Sequence, residues 1–246
     1  MNTTTRRTAL FALFAVLATS LAASAATLVG SGRAKTENRA VGAFTGVAIS
    51  VPGRLELTQG ATDSVAITAD DNVLPELETV VEKGVLEIRI RTKNLHIARK
   101  SEIRIAVSIR AIESLAVAGS ANVAAGPLQA AKLSVKVAGS GDVKIASLTA
   151  QELVANIAGS GDLAVAGRAD TFTANAAGSG SVRADKLETK RAKVAVAGSG
   201  SVVLIARESL NASIAGSGDV RYYGDPKVER SVVGSGSVKR LGPVPS

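Results

Sequence analysis

The chain has 246 residues, no cysteine, no tryptophan, a single histidine and a formal charge of +8. The missing thiols exclude disulfides, thiol catalysis, Fe–S clusters and thiolate zinc sites. The lone His96 has no adjacent nucleophile or metal-ligand partner with which to build a triad or a zinc site. The surplus of Lys and Arg favours anionic partners, but no basic strand interleaved with aromatics points to nucleic acid.

At the N-terminus, Arg6 and Arg7 precede an apolar run from Ala9 to Leu21, and Ala23-Ser24-Ala25 follows it. That order of charge, apolar stretch and small residues predicts a secretory signal peptide over 1–25, cleaved after Ala25. The run is short for a membrane span, and no cysteine follows it to carry a lipid. The sequence therefore predicts an exported chain, periplasmic, on the cell surface or secreted, without a transmembrane segment after signal removal. Cleavage takes two of 29 basic residues and none of the 21 acidic ones, leaving +6. Phe44, Phe172, Tyr222 and Tyr223 are then the remaining aromatics. So few large side chains fill only a thin core.

Residues 26–40 form an N-terminal segment, and 41–112 read as strand-rich: Gly46–Val51, Arg54–Gln59, Ser64–Ala69, Val85–Arg91 and Glu102–Arg110. Leu55 and Leu57, Val65 and Ile67, and Ile103, Ile105, Val107 and Ile109 alternate with polar neighbours, as strands with one buried face do. Val73–Val81 contains Pro75 and reads as a short helix or wide loop. Asn94–Lys100 reads as a mobile loop. The expectation is a set of degenerate coils continuous with those that follow, with a separate small β-domain as the alternative.

From 113 to 241 the chain repeats. AGS or VGS recurs with its glycine at Gly119, Gly139, Gly159, Gly178, Gly198, Gly216 and Gly234, at intervals of 18 to 20 residues. Period-two alternation flanks each copy: Leu133, Val135 and Val137 precede Gly139, and Val143 and Ile145 follow it. Each repeat is thus strand, Gly-Ser-Gly corner, strand and a polar turn. One such unit cannot bury its own apolar side, whereas stacked units can. A coil of 18 to 20 residues fits a single-stranded parallel β-helix, an all-β solenoid, and is too short for a propeller blade. In the last coil Arg230 and Arg240 replace inward apolar residues, and the tail 242–246 contains Pro243 and Pro245. Charge and proline blunt an open strand edge, so this end reads as a cap.

Together, Gly30-Ser31-Gly32, Glu37, Arg39, Phe44, Gly46-Val47, LELTQG, VAITADDNVLPELETVVEKGVLEI and the AGSG copies resemble the family described as putative auto-transporter adhesin, head GIN domain. The resemblance runs from about Val29 to Leu241. It implies a right-handed β-helix of the bacterial envelope or cell surface, and it brings no catalytic or ligand residues.

Two columns flank the corner. Asn122, Asp142, Asp162, Ser181, Ser201, Asp219 and Ser237 follow the glycines. Stacked carboxylates are a candidate Ca²⁺ site, but the Ser substitutions favour residues that close a turn by bonding backbone. Gly119, Gly139, Gly159, Gly178, Gly198, Gly216, Gly234, Asp142, Asp162 and Asp219 are accordingly read as a structural turn column, with no metal or cofactor expected. Five residues after each glycine stand Ala124, Lys144, Ala164, Arg183, Val203, Arg221 and Lys239. Lys144, Arg183, Arg221 and Lys239 make a discontinuous basic stripe, a candidate contact for acidic glycan, lipid headgroups or an envelope protein. The functional expectation is a non-catalytic exported module, structural or adhesive. The alternatives are a carbohydrate-active enzyme on the same scaffold and a periplasmic scaffold or stress protein without an adhesive role.

Overall fold

The computed structural model describes residues 26–98 and 101–245; the leader reading of 1–25 lies outside them. Strands make up 71% of the described residues, wound into a β-solenoid of about six turns. The N-terminal part contains β1 (Ala26–Leu28), β2 (Ala34–Arg39), β3 (Gly46–Ile49), β4 (Arg54–Gln59), β5 (Ser64–Asp70), β6 (Leu77–Glu82), β7 (Val85–Ile90), β8 (Leu95–Ile97) and β9 (Arg104–Ile109). The repeats follow as β10 (Ser114–Gly119), β11 (Asn122–Gly139), β12 (Val143–Gly159), β13 (Leu163–Gly178), β14 (Ser181–Gly198), β15 (Ser201–Ile205), β16 (Ser209–Gly216), β17 (Asp219–Tyr223), β18 (Lys227–Gly234) and β19 (Ser237–Gly242).

The repeats stack in parallel and in register. On the side after the corner, one inward column runs Ile105, Leu55, Val123, Val143, Leu163, Val182, Val202, Val220 and Val238. On the side before it, another runs Leu86, Val47, Leu115, Val135, Ala155, Ala174, Val194, Ala212 and Arg230. Alternation in the sequence becomes alternation in space because successive strand side chains point to opposite faces. Val143, Leu163, Val182 and Val202 are each at most 1% exposed, so this column is the dry interior that the rungs share.

A third ladder completes each rung. Leu128, Leu148, Gly167 and Leu187 stack in register, with the leucines buried. At most one large apolar residue per rung stands here, and none on the Gly167 rung, so the sequence offers little alternation to read. The 19-residue interval between Gly159 and Gly178 is absorbed on this side: the register shifts between Ile145 and Leu148, and Gly167, at φ +114°, lies against the Leu148 backbone.

The N-terminal part joins the same stack, but not in chain order. β3 lies between β7 and β10, and β4 lies between β9 and β11, all parallel. The chain therefore starts one layer in, runs outward through β7 and β9, and returns at β10. β6 then pairs antiparallel with β7, β5 with β9, and β2 with β5, closing this end over one continuous core that includes Phe44, Leu74 and Leu77. Val73–Val81 resolves into a 3-10 turn, Leu74–Glu76, and the start of β6. Within the segment read as a mobile loop, Leu95–Ile97 instead forms β8, paired with β1; Arg99 and Lys100 lie outside the described residues.

Candidate functional site

The repeated corner comes first because it positions everything around it. Gly119, Gly139, Gly159, Gly178, Gly198, Gly216 and Gly234 align rung over rung, with φ between +88° and +125°. That backbone region is open to glycine at little steric cost. A Cβ on Gly159 would also overlap the carbonyl oxygen of Gly139 in the rung beneath, and the same holds from Gly139 through Gly234. Gly119 differs: nothing lies within 4 Å of its missing Cβ, because no corner of this kind sits below it. The second glycine follows the same logic, since a Cβ on Gly161 would overlap the Gly141 carbonyl. The first copy, lacking a glycine corner beneath it, carries Ala121 at this point, fully buried. The departure of AGSANV from the repeat thus has a steric cause.

The acidic column serves the backbone of its neighbours. The Asp162 N–H donates to the Asp142 carboxylate at 3.0 Å, the Ser181 N–H to Asp162 at 2.9 Å, and the Ser237 N–H to Asp219 at 3.1 Å. Asn122 accepts from the Asp142 N–H at 3.3 Å. These bonds satisfy amides at a corner where the ladder is interrupted. Among the described residues no group of three or more His, Asp or Glu is placed to hold a metal ion. His96 lies exposed on β8.

Lys144, Ala164, Arg183, Val203, Arg221 and Lys239 form one outward column. Arg183 donates to Asp162 at 2.8 Å, which fixes its guanidinium; Lys144, Arg221 and Lys239 have no ion pair among the described residues. Between Lys144 and Arg183 the small Ala164 leaves a shallow depression of about 520 Å³, bordered by Ala146, Ala166, Asp185 and Lys186. Basic residues therefore recur on alternate rungs, Lys144, Arg183 and Arg221, at about 9–10 Å given the spacing of paired strands.

A longer groove, absent from the sequence reading, runs along the third ladder. Gln129, Thr149, Arg168 and Glu188 stack in register along it, and Arg207 extends the row over a groove of about 780 Å³. Its ions are largely paired: Lys190 with Asp170 at 2.8 Å and Arg207 with Glu188 at 3.1 Å. The hydrogen bond from Lys190 holds the Asp170 carboxyl below the usual carboxylate range and raises Lys190 in return. This surface has polar hydrogen-bonding groups every rung and little free charge. No helix among the described residues is long and apolar enough to cross a membrane.

The same solenoid occurs in solved structures of other proteins. A putative adhesin from Bacteroides fragilis NCTC 9343 is 23% identical with a TM-score of 0.81, covering 87% of this chain and 100% of its own. A putative lipid binding protein from Parabacteroides distasonis ATCC 8503 is 24% identical, with TM-score 0.74 and coverage of 87% and 99%. A putative adhesin from Parabacteroides merdae ATCC 43184 is 21% identical, with TM-score 0.71 and coverage of 88% and 100%. At these identities the likeness establishes a shared fold. No curated protein matches the chain. The family model described as putative auto-transporter adhesin, head GIN domain, matches residues 43–226, and the chain belongs to that family.

Proposed function

We propose that this protein is a non-catalytic module of the bacterial envelope, exported by its N-terminal leader, that binds acidic glycan along the column of Lys144, Arg183, Arg221 and Lys239. The observation that carries the reading is the in-register recurrence of cations on one exposed side of a rigid ladder. A polyanion laid along the axis meets them without any loop having to order, which keeps the entropic cost of binding low. Membership of an adhesin-like family and likeness to a putative lipid binding protein support a surface module that binds anionic partners. Catalysis is disfavoured by the acidic column: its carboxylates are engaged with backbone N–H groups on an open corner, not facing each other across a cleft as glycoside hydrolysis requires.

The test is binding of a polyuronate, a neutral glucan and anionic phosphatidylglycerol vesicles, each at low and high salt. The reading expects polyuronate binding that weakens with salt and falls about tenfold for Lys144→Ala plus Arg183→Ala. Vesicle binding alone would assign the column to lipid headgroups. Binding to none of the three would support a scaffold without an adhesive role.

A further inference from the structure

The two ends of the solenoid are finished differently. At the N-terminal end the ladders finish in antiparallel strands, β6 on β7 and β5 then β2 on β9, and the inward positions of β2 carry Lys35, Glu37 and Arg39. Their ion pairs, 3.2 Å for Lys35–Glu37 and 3.1 Å for Arg39–Glu37, neutralise all but one charge of that row. At the C-terminal end the outermost strands are parallel to their neighbours. Among the described residues β18 pairs only with β16 and β19 only with β17, so each leaves one edge of backbone N–H and C=O groups unpaired.

Of the four exposed large hydrophobic residues among those described, three sit on this last rung: Val232 at 39%, Val233 at 71% and Leu241 at 41%. The inward row of β18 reads Val228, Arg230, Val232, registered over Leu210, Ala212 and Ile214. Arg230 has no ion pair among the described residues. On β19, Arg240 is tied to the Gly224 carbonyl at 2.6 Å and lies 3.7 Å from Asp225.

We infer that the free edge of β18 is a docking site for an extended polypeptide strand carrying an acidic residue between two apolar ones at alternate positions. Such a strand pairs its main chain with β18. Its apolar side chains cover Val228 and Val232, and its carboxylate meets the Arg230 guanidinium in a charge-assisted hydrogen bond. Charge argues against a second copy of this chain in the same place. A two-fold pairing brings two Arg230 rows together, and head-to-tail stacking lays β18 on β6, whose inward residues Leu77, Thr79 and Val81 offer Arg230 no carboxylate. The site is independent of the outward basic column, because Arg230 occupies an inward position.

The experiment uses the full chain and two fluorescein-labelled peptides with Val, Glu and Val, or Val, Lys and Val, at alternate positions and Thr between them. Fluorescence anisotropy is expected to show at least about tenfold preference for the Glu peptide, and Arg230→Glu is expected to invert that preference. Because the variant gains the second peptide, loss of fold cannot imitate the result. Binding of neither peptide, or equal binding of both that Arg230→Glu leaves unchanged, overturns the inference. So does a concentration-dependent dimer that Arg230→Glu alters, which assigns the edge to a second copy. Binding to phosphatidylglycerol vesicles that Arg230→Glu abolishes, with no peptide binding, assigns it to lipid.

Discussion

The N-terminal rungs and the repeat rungs share one interior but are held by different means. From Phe44 to Ile112 the core is filled by bulky Ile, Leu and Val, with Ala69 the one buried alanine, and strands cross in both directions. From Ala121 onward the interior is rich in alanine: Ala125, Ala155, Ala174, Ala184, Ala192 and Ala212. There the rungs approach closely at stacked glycine carbonyls, and little side-chain volume separates them. The irregular part is therefore buffered by side-chain packing, whereas the regular part depends on backbone registry that one added carbon disturbs.

That difference is most exposed at Gly159, where a side chain meets both an unfavourable φ of +120° and the Gly139 carbonyl. Gly159→Val is expected to lower stability by about 3–5 kcal/mol in chemical denaturation; an unchanged midpoint would contradict the corner as described. Phe172→Ala probes the bulkiest side chain that the repeats bury. Phe172 is fully buried and registered beside Ala192, so its loss leaves a cavity costing about 3–5 kcal/mol. Comparing Gly119→Ala with Gly139→Ala isolates the contact from the backbone strain. The first, with open space around the new Cβ, is expected to cost about 1–2 kcal/mol, and the second at least about twice that. Equal losses would mean that strain alone selects glycine.

Smaller effects belong to the flanking columns. Asp162→Ala removes the acceptor for the Ser181 N–H and is expected to cost about 1 kcal/mol, while Asp162→Ser should be close to neutral because Ser occupies this column at 181, 201 and 237. In the N-terminal part, hydrogen bonds from Arg110 hold the Asp63 carboxyl below the usual carboxylate range. Its contribution is therefore present above that range and disappears as pH falls through the depressed folded value. Asp63→Asn should make thermal melting less dependent on pH between about pH 5 and pH 2, the least of these changes.

Much of the repeat was legible because two periodicities coincide there. Val143, Leu163, Val182 and Val202 reveal the buried face by alternation, and the glycines reveal the rung by their spacing. The third ladder was hidden, since Leu128, Leu148 and Leu187 are followed two residues on only by Ala130, Ala150 and Thr189, too weak an apolar pattern to show a period. The layer order of β3, β7 and β10 was hidden for another reason. Pairing partners 39 and 68 residues from Gly46, at Val85 and Ser114, leave no local trace. The basic column and the acidic column were both visible as spacings. Their engagement was not, because the hydrogen bond from Arg183 to Asp162 joins different rungs.

Register between adjacent rungs is the claim on which the columns, the corners and the open edge all stand. A chain without cysteine allows it to be tested by introducing two: Ala158→Cys with Ala177→Cys, which are exposed partners on neighbouring rungs, and Ala158→Cys with Ala197→Cys, one rung further. Cα atoms about 4.8 Å apart fall within disulfide range, and those about 10 Å apart do not. Mild oxidation should close an intramolecular bond in the first pair and leave the second reduced; closure of both to the same extent, or of neither, would contradict the stacked-rung structure.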